Sequence, residues 1–266
     1  MHFSGLYCQL AIAAMGALAS PVDVAARAVA VAERATKPAA FFLVGDSTTA
    51  AQKGGSGGWG DGFLGTLVDG AKGTNFGDNG ATTVSFVEEG FWDPVMAALK
   101  ENVADFDCYV TIQFGHNDQK PAKGISIEQY STNLKNFADQ VTAAGGTPIL
   151  VTPLARRKYK GDVELDLVDQ VTATLAVATD NKVAVIDLNA ASMKYLNAIG
   201  EANARNYDPE AGDETHLNPA GTILFGNMVA GLISESQVGD KVKAFISEDP
   251  VIAADIASGT YVLPSA

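Results

Sequence analysis

The stretch "FFLVGDSTTA" (residues 41–50) joins an apolar run directly to a glycine, an acid and a serine. A continuous apolar run of this length is typical of a strand that is buried on both faces. The same character is found in "DCYVTIQFG" (107–115), "TPILVTP" (147–153) and "KVAVIDL" (182–188), and more weakly in "GTNFGDNG" (73–80). Strands that alternate with helices predict a parallel sheet with right-handed crossovers. We therefore expect an α/β fold, a three-layer α/β/α sandwich with about five parallel strands.

Helix boundaries between these runs can be identified from capping residues. Apolar residues recur at spacings of three and four over 126–145, and Ser126 with Gln129 forms a capping-box pattern at its start. Asn218 followed by Pro219 predicts the start of another helix, which should reach about residue 235. The tail from 237 to 266 carries no clear pattern.

Length and composition favour one soluble globular domain. The chain has 266 residues, of which 47% are hydrophobic and 18% charged, with a net charge of −13. That acidity argues against nucleic acid and anionic membrane as partners, because both bind clustered lysine and arginine. We expect a monomer.

The first residues predict a secretory signal. Leu6 to Leu18 is mostly apolar, and Ala17-Leu18-Ala19 is a small-residue cleavage pattern. A membrane anchor is the alternative, but the apolar run is too short to span a bilayer. We therefore assign residues 1–19 to a signal peptide, 20–37 to a pro-segment or linker, and 38–266 to a single domain of a secreted, extracellular protein.

Cysteine is scarce in the mature chain. Cys8 lies in the predicted signal, so only Cys108 remains and no internal disulfide can form. Cys108 precedes an apolar strand and is best interpreted as a buried filler, although a lone cysteine could also be a nucleophile. With His116 and His216 it is too little for a structural zinc site, so we predict no metal and no cofactor.

Two serines are candidate nucleophiles. Ser56 in "GGSGG" (54–58) matches the G-x-S-x-G elbow, and the same loop matches G-x-G-x-x-G, but neither has the preceding strand that it requires. Ser47 does follow a strand, at the carboxyl edge where α/β folds place their sites. A helix-capping hydroxyl is the alternative for Ser47.

A nucleophilic serine needs a base, and the mature chain offers two histidines. His116 follows the third strand in "FGHND", and His216 lies in "GDETHLNPAG". Asp213 stands three residues before His216, which lets its carboxylate reach the imidazole across one tight turn and stabilise its protonated form. We therefore prefer His216 as the base.

Four blocks in order resemble the SGNH (GDSL-type) hydrolases: "GDST" after the first strand, "NGATT" after the second, "GHND" after the third and "DETH" near the C-terminus. The details "GWGDGF", "FGHND" and "THLNPAG" are most similar to the rhamnogalacturonan acetylesterases, which remove acetyl groups from the pectin backbone. The resemblance implies the flavodoxin-like SGNH fold. It assigns Ser47 as nucleophile, His216 as base, Asp213 as its orienting acid, and Gly80 and Asn117 to an oxyanion hole with the Ser47 N–H.

The substrate is predicted less directly. "LARRKYKGD" (154–162) follows the fourth strand and clusters Arg156, Arg157 and Lys158, which could bind the carboxylates of an acetylated acidic polysaccharide or could be a solvated loop. Trp59 and Tyr159 could stack on sugars or pack internally. The alternatives to a polysaccharide acetylesterase are a general carboxylester or lipid hydrolase and a catalytically silent carbohydrate-binding protein.

Overall fold

A five-stranded, all-parallel sheet forms the centre of the fold. The computed structural model describes residues 37–265, so the predicted signal peptide and all but the last residue of the 20–37 segment lie outside the described part. The sheet order is β2-β1-β3-β4-β7, and β5 pairs with β6 in a separate antiparallel hairpin. The strands are β1 (Ala39–Gly45), β2 (Lys72–Asn75), β3 (Asp107–Gln113), β4 (Thr147–Val151), β5 (Tyr159–Lys160), β6 (Asp162–Val163) and β7 (Ala184–Ile186).

Helices cover both faces of the sheet. They are α1 (Gly60–Leu64), α2 (Ser85–Glu88), α3 (Trp92–Asn102), α4 (Ile127–Ala143), α5 (Val168–Asn181), α6 (Leu188–Ile199), α7 (Glu201–Ala204), α8 (Pro219–Ser234), α9 (Gly239–Val242) and α10 (Pro250–Ser258), with three short 3-10 turns between them. Ser126 caps α4 by accepting a hydrogen bond from the Gln129 N–H at 3.2 Å, and Asn218 caps α8 through the Gly221 N–H at 2.9 Å.

Two separate hydrophobic clusters make this a three-layer sandwich. Phe41 and Leu43 of β1 pack with α1, α6 and α8, whereas Phe42 and Val44 pack with α3, α4 and α5. Successive strand residues point to opposite faces, so an all-apolar strand supplies both clusters. The predicted fold class is confirmed, and Cys108 belongs to the second cluster.

The register of the two central strands brings their carboxyl ends together. Gly45, the last residue of β1, lies opposite Gln113, the last residue of β3. The loops that follow, starting at Asp46 and Phe114, therefore leave the sheet side by side. This edge is where a site in a parallel α/β fold is expected.

Helices α1 and α8 pack unusually closely, through glycine. A Cβ atom on Gly226 would overlap the backbone of Gly62, and a Cβ on Gly62 would overlap the carbonyl of Thr222. The contact fixes α8 against the segment that follows the β1 loop. Helix α8 begins at Pro219, three residues after His216, so the contact also helps to place that histidine.

The C-terminal tail, which the sequence left without a pattern, forms α9 and α10 and then packs back onto the domain. The Tyr195 hydroxyl donates to the Thr260 carbonyl at 3.1 Å, and the Tyr207 hydroxyl donates to the Val262 carbonyl at 2.5 Å. Within residues 37–265, no helix has the length and apolar content needed to cross a membrane.

Candidate active site

Ser47 occupies a tight turn at the end of β1. The Asp46 carboxylate folds this turn by accepting hydrogen bonds from the Thr48 N–H at 2.9 Å and the Thr48 hydroxyl at 2.7 Å. Gly45 must be glycine, since a Cβ there would overlap the Thr49 side chain and the Gln113 carbonyl. The sharp turn leaves the Ser47 hydroxyl at the carboxyl edge of the sheet.

A chain of hydrogen bonds links Ser47 to His216 and Asp213. The Ser47 Oγ lies 2.9 Å from His216 Nε2, and His216 Nδ1 lies 2.8 Å from Asp213 Oδ2. The other carboxylate oxygen of Asp213 accepts the backbone N–H groups of His216 at 3.0 Å and Thr215 at 3.1 Å. This arrangement allows the imidazole to accept a serine proton while the carboxylate stabilises the resulting cation.

The surroundings of Asp213 keep its carboxyl group charged. Burial alone would raise its pKa, but the hydrogen bonds from the His216 backbone and ring and from the Thr215 N–H outweigh burial and hold the pKa below its usual value. Asp213 is therefore a carboxylate wherever an esterase is normally assayed.

Gly80 and Asn117 line the same cleft as Ser47 and His216. Within residues 37–265, the backbone N–H groups of Ser47 and Gly80 donate to no protein acceptor. Gly80 has φ 82°, while a Cβ on it would meet nothing within 4 Å. Backbone conformation, and not a lack of space for a side chain, is therefore the reason that glycine suits this position.

The Asn117 side chain is held in one orientation. Its Oδ1 accepts a hydrogen bond from Lys120 Nζ at 2.6 Å, and its Nδ2 donates to the Ala81 carbonyl at 3.0 Å. An amide nitrogen carries two hydrogens, so one N–H remains for a ligand. Three donors, from Ser47, Gly80 and Asn117, are thus available at this cleft.

His116 is a structural neighbour of the site. Its ring is buried, and Nδ1 lies 3.6 Å from Asp46 Oδ2. It is absent from the residues that line the cleft beside Ser47 in the described part of the chain. The structure thus brings His216, and not His116, to the nucleophile candidate.

Ser56 lies in a β-hairpin with a two-residue turn, and not in a nucleophile elbow. The Lys53 N–H donates to the Ser56 carbonyl at 2.8 Å, and the two residues between them, Gly54 and Gly55, have φ 63° and 86°. Positive φ at both central positions is the requirement of a type I′ turn, which explains the glycine pair. Ser56 lines the cleft but is not preceded by a strand of the central sheet.

The substrate role predicted for Arg157 is wrong, because its side chain has no exposed surface. Its Nε donates to Asp208 Oδ1 at 2.5 Å, and its Nη2 donates to the carbonyls of Asp213, at 3.3 Å, and His216. A buried arginine pairs with a carboxylate because an isolated charge cannot be desolvated cheaply. The hydrogen bonds of Arg157 therefore hold the loop that carries Asp213 and His216 in place.

The neighbours of Arg157 are also paired. Arg156 Nη1 lies 2.7 Å from Asp166 Oδ2, and Lys158 Nζ lies 2.6 Å from Glu164 Oε2. Neither is among the described residues that line the cleft.

Trp59 is fully buried and donates from its indole to Gln113, and the half-buried Tyr159 donates to the Leu196 carbonyl, so both pack internally.

The cleft has a volume of about 440 Å³, and every residue in its described lining other than Gly80 has a polar or charged side chain. Three of its residues were not identified from sequence as site residues, namely Lys53, Asn79 and Lys120. The only signal for Lys120 was its position three residues after Asn117, and Lys53 lay in a glycine-rich loop with no motif of its own.

Comparisons with known proteins identify the family of this chain. The model of the GDSL-like Lipase/Acylhydrolase family matches residues 43–222. Rhamnogalacturonan acetylesterase RhgT of Bacillus subtilis (strain 168) is 33% identical over 75% of this chain and 91% of its own length. The probable rhamnogalacturonan acetylesterase YesY of the same organism is 31% identical over 73% of this chain and 92% of its own length.

Solved structures share the fold. The YxiM protein of B. subtilis superposes with a TM-score of 0.64 and 22% identity, over 74% of this chain and 56% of that one. Axe2, an acetylxylan esterase of Geobacillus stearothermophilus, gives 0.54 and 18% identity, over 75% and 94%. The architecture is thus that of the SGNH hydrolases. The chain belongs to the GDSL-like lipase/acylhydrolase family and is a carboxylic ester hydrolase.

Proposed function

We propose that this protein is a secreted serine esterase that removes acetyl groups from a plant cell-wall polysaccharide, specifically the rhamnogalacturonan backbone of pectin. The observation that carries the proposal is the hydrogen-bonded series from Ser47 Oγ through the His216 ring to the Asp213 carboxylate. Two relatives that are at least 31% identical bear the name of that activity.

In the proposed mechanism, His216 Nε2 takes the proton from the Ser47 hydroxyl as the oxygen attacks the acetyl carbonyl. The tetrahedral intermediate collapses, and the sugar oxygen leaves with the proton that His216 returns. Water then attacks the acetyl-Ser47 ester, again giving its proton to His216, and acetate departs as the serine is reprotonated. Asp213 stays ionised throughout and holds the ring.

The oxyanion is stabilised by the N–H groups of Ser47 and Gly80 and by the remaining N–H of Asn117. Donors fixed in advance cost no reorganisation when charge develops, and each contributes roughly 3 kcal/mol to the transition state. The bonds from Lys120 and to Ala81 keep the Asn117 amide in place for this task.

The polar cleft supports a sugar ester over a lipid ester. Its described lining consists of Ser47, Lys53, Ser56, Asn79, Gly80, Asn117, Lys120 and His216, none of which is aliphatic or aromatic apart from the imidazole. A long acyl chain requires apolar walls to leave water, whereas an acetyl group needs little more than the oxyanion donors. We therefore place the lipid hydrolase second.

The first prediction concerns Ser47→Ala. Loss of the nucleophile should lower kcat for acetate release by several orders of magnitude, up to roughly a million-fold. Acetate release is measured on acetylated pectic, xylan and lipid substrates, with acetyl and octanoyl nitrophenyl esters compared in parallel. A Ser47→Ala enzyme that keeps most of its activity would refute the assignment, and a preference for octanoyl would favour the lipid hydrolase.

Secretion has its own test. Expression of the full chain in a bacterial or fungal host, followed by N-terminal sequencing of protein from the medium, should give a start at Ser20 or further along the segment that ends at residue 37. An intact start at Met1 on cell-associated protein would count against the signal peptide.

A further inference from the structure

The cleft is positively charged in a strongly acidic protein. The chain has 31 acidic and 18 basic residues. The described lining of the cleft nevertheless contains two lysines, Lys53 and Lys120, and no aspartate or glutamate. Local charge that opposes the overall charge of a molecule indicates a site that attracts ligands of the opposite sign. The expected ligand is therefore an anion.

These lysines differ from the basic run that sequence analysis singled out. Arg156, Arg157 and Lys158 each pair with a carboxylate of the protein. Lys53 and Lys120 form no ion pair within residues 37–265. Their charges are not neutralised locally and remain available to a bound carboxylate.

Lys53 is held in a defined position beside His216. It begins the hairpin that closes at Ser56, and the next residue, Gly57, exchanges two backbone hydrogen bonds with Leu217, at 3.0 and 2.8 Å. Gln52, which precedes the hairpin, also donates to the Leu217 carbonyl at 2.8 Å. The hairpin is therefore fastened to the residue that follows His216, so the Lys53 backbone is fixed relative to the base.

Lys120 is held next to the oxyanion donors. Its Nζ donates to Asn117 Oδ1 at 2.6 Å, and its backbone N–H donates to the Asn117 carbonyl at 3.1 Å. An ammonium group carries three N–H donors, so two remain for a ligand. Lys53 thus lies on a hairpin that is hydrogen-bonded to the residue after His216, and Lys120 is hydrogen-bonded to Asn117. Both lysines line the cleft that contains Ser47.

We propose that Lys53 and Lys120 form a carboxylate subsite, which binds a uronate unit of the polysaccharide next to the acetylated sugar. The inference rests on the proposed function, because it concerns how that esterase recognises its polymer. Binding energy from this remote carboxylate would orient the ester carbonyl against Ser47 and the oxyanion donors. The lysines would thereby distinguish acidic pectic chains from neutral polymers such as xylan.

The test compares two forms of one polymer: acetylated rhamnogalacturonan, and the same material with its uronate carboxylates reduced to alcohols. The wild type should have the higher kcat/KM on the acidic form. Lys53→Gln should lower the ratio of kcat/KM on the acidic polymer to kcat/KM on the reduced polymer. The expected decrease is roughly three- to tenfold at low salt, the range for one partly exposed charge contact. Lys53→Glu should lower this ratio further. In 1 M NaCl, where the Debye length is about 3 Å, the difference in the ratio between the wild type and these variants should shrink.

Lys53 carries the test because Lys120 also contacts Asn117. The matched control is Lys123→Gln, an exposed lysine in the same turn as Lys120 that does not line the cleft, and the ratio should not change. If Lys53→Gln lost kcat/KM equally on the two polymers, or lost none, the ratio would be unchanged and the proposed carboxylate subsite would be overturned. The proposed function would still stand if the wild type released acetate and Ser47→Ala did not. Failure of the wild type to release acetate from either polymer would remove both.

Discussion

Arg157 shows how the meaning of one residue depends on where its partner lies. It belongs to a basic run that suggests a surface loop, but its guanidinium is buried against Asp208, 51 positions further along the chain. The same group donates to the carbonyls of Asp213 and His216. A single buried cation therefore connects the segment between β4 and β5 to the loop that carries two of the three proposed catalytic residues.

Arg157→Lys should lower both activity and stability. Lysine keeps the charge but cannot reach Asp208 and two carbonyls at once, because it lacks the planar fork of arginine. We expect the free energy of unfolding to fall by about 3 kcal/mol, as for a broken buried ion pair, and kcat to fall by about a hundredfold if the His216 ring shifts by about 1 Å.

Thermal denaturation and acetate release measure the two effects. The control is Lys158→Gln, which removes the neighbouring cation at an exposed ion pair and should change stability by no more than about 1 kcal/mol. An Arg157→Lys enzyme that matches the wild type in both measurements would show that the 208–216 loop holds its shape without this brace.

At the scale of helices, α1 and α8 cross in close contact through Gly62 and Gly226. Gly226→Ala should destabilise the protein by about 1–3 kcal/mol, because the added methyl group overlaps the Gly62 backbone and forces the helices apart. Gly65→Ala is the matched control, since its Cβ would lie 3.4 Å from the nearest atom, an ordinary contact. Urea unfolding of both variants tests this, and equal stability of the two would contradict the crossing as described.

The two longest helices were predicted from sequence because their capping residues are clear, whereas α3, α5, α6 and α10 were not identified. The helix predicted over 126–145 is observed at Ile127–Ala143, and the one predicted from Asn218 is observed at Pro219–Ser234. The β5–β6 hairpin and α9 were missed, because elements of two to four residues are too short to show a period. The strand predicted over 182–188 is only Ala184–Ile186, since Asp187 already caps α6.

The site follows the same rule. Ser47 was proposed because it follows a strand, and Asp213 and His216 because the mature chain has few histidines, whereas Gly80 and Asn117 were proposed from the resemblance to the SGNH hydrolases. Lys53 and Lys120 were not found, because what distinguishes them is the cleft that they share and the carboxylates that they lack. Neither property is local in sequence, and both depend on how the loops meet over the sheet.

For the molecule as a whole, acid unfolding should depend in part on Asp213. Its pKa is lower in the folded state than its usual value of 3.8, so its contribution to stability is present above pH 3.8 and is lost as the pH falls through the folded pKa. Asp213→Asn should therefore melt a few degrees below the wild type at pH 6, which corresponds to about 1 kcal/mol for a domain of this size, and the gap should narrow steadily as the pH falls below 3.8.

Melting temperatures of both proteins between pH 6 and pH 3 test this linkage. The same variant should lose roughly ten-thousand-fold in kcat at pH 7, because an amide cannot stabilise the imidazolium or fix its tautomer. A gap in melting temperature that stays constant with pH would show that the Asp213 charge does not contribute to the stability of the fold.

The far end of the chain reaches the chemistry indirectly. The Tyr207 hydroxyl donates to the Val262 carbonyl, and the Tyr207 carbonyl accepts the backbone N–H of Asn218, two residues after the imidazole. Clipping by a carboxypeptidase that reached Val262 would therefore loosen the support of the general base without touching the cleft. For recombinant work, a purification tag belongs upstream of Lys37, where it leaves the hydrogen bond between Tyr207 and the C-terminal segment undisturbed.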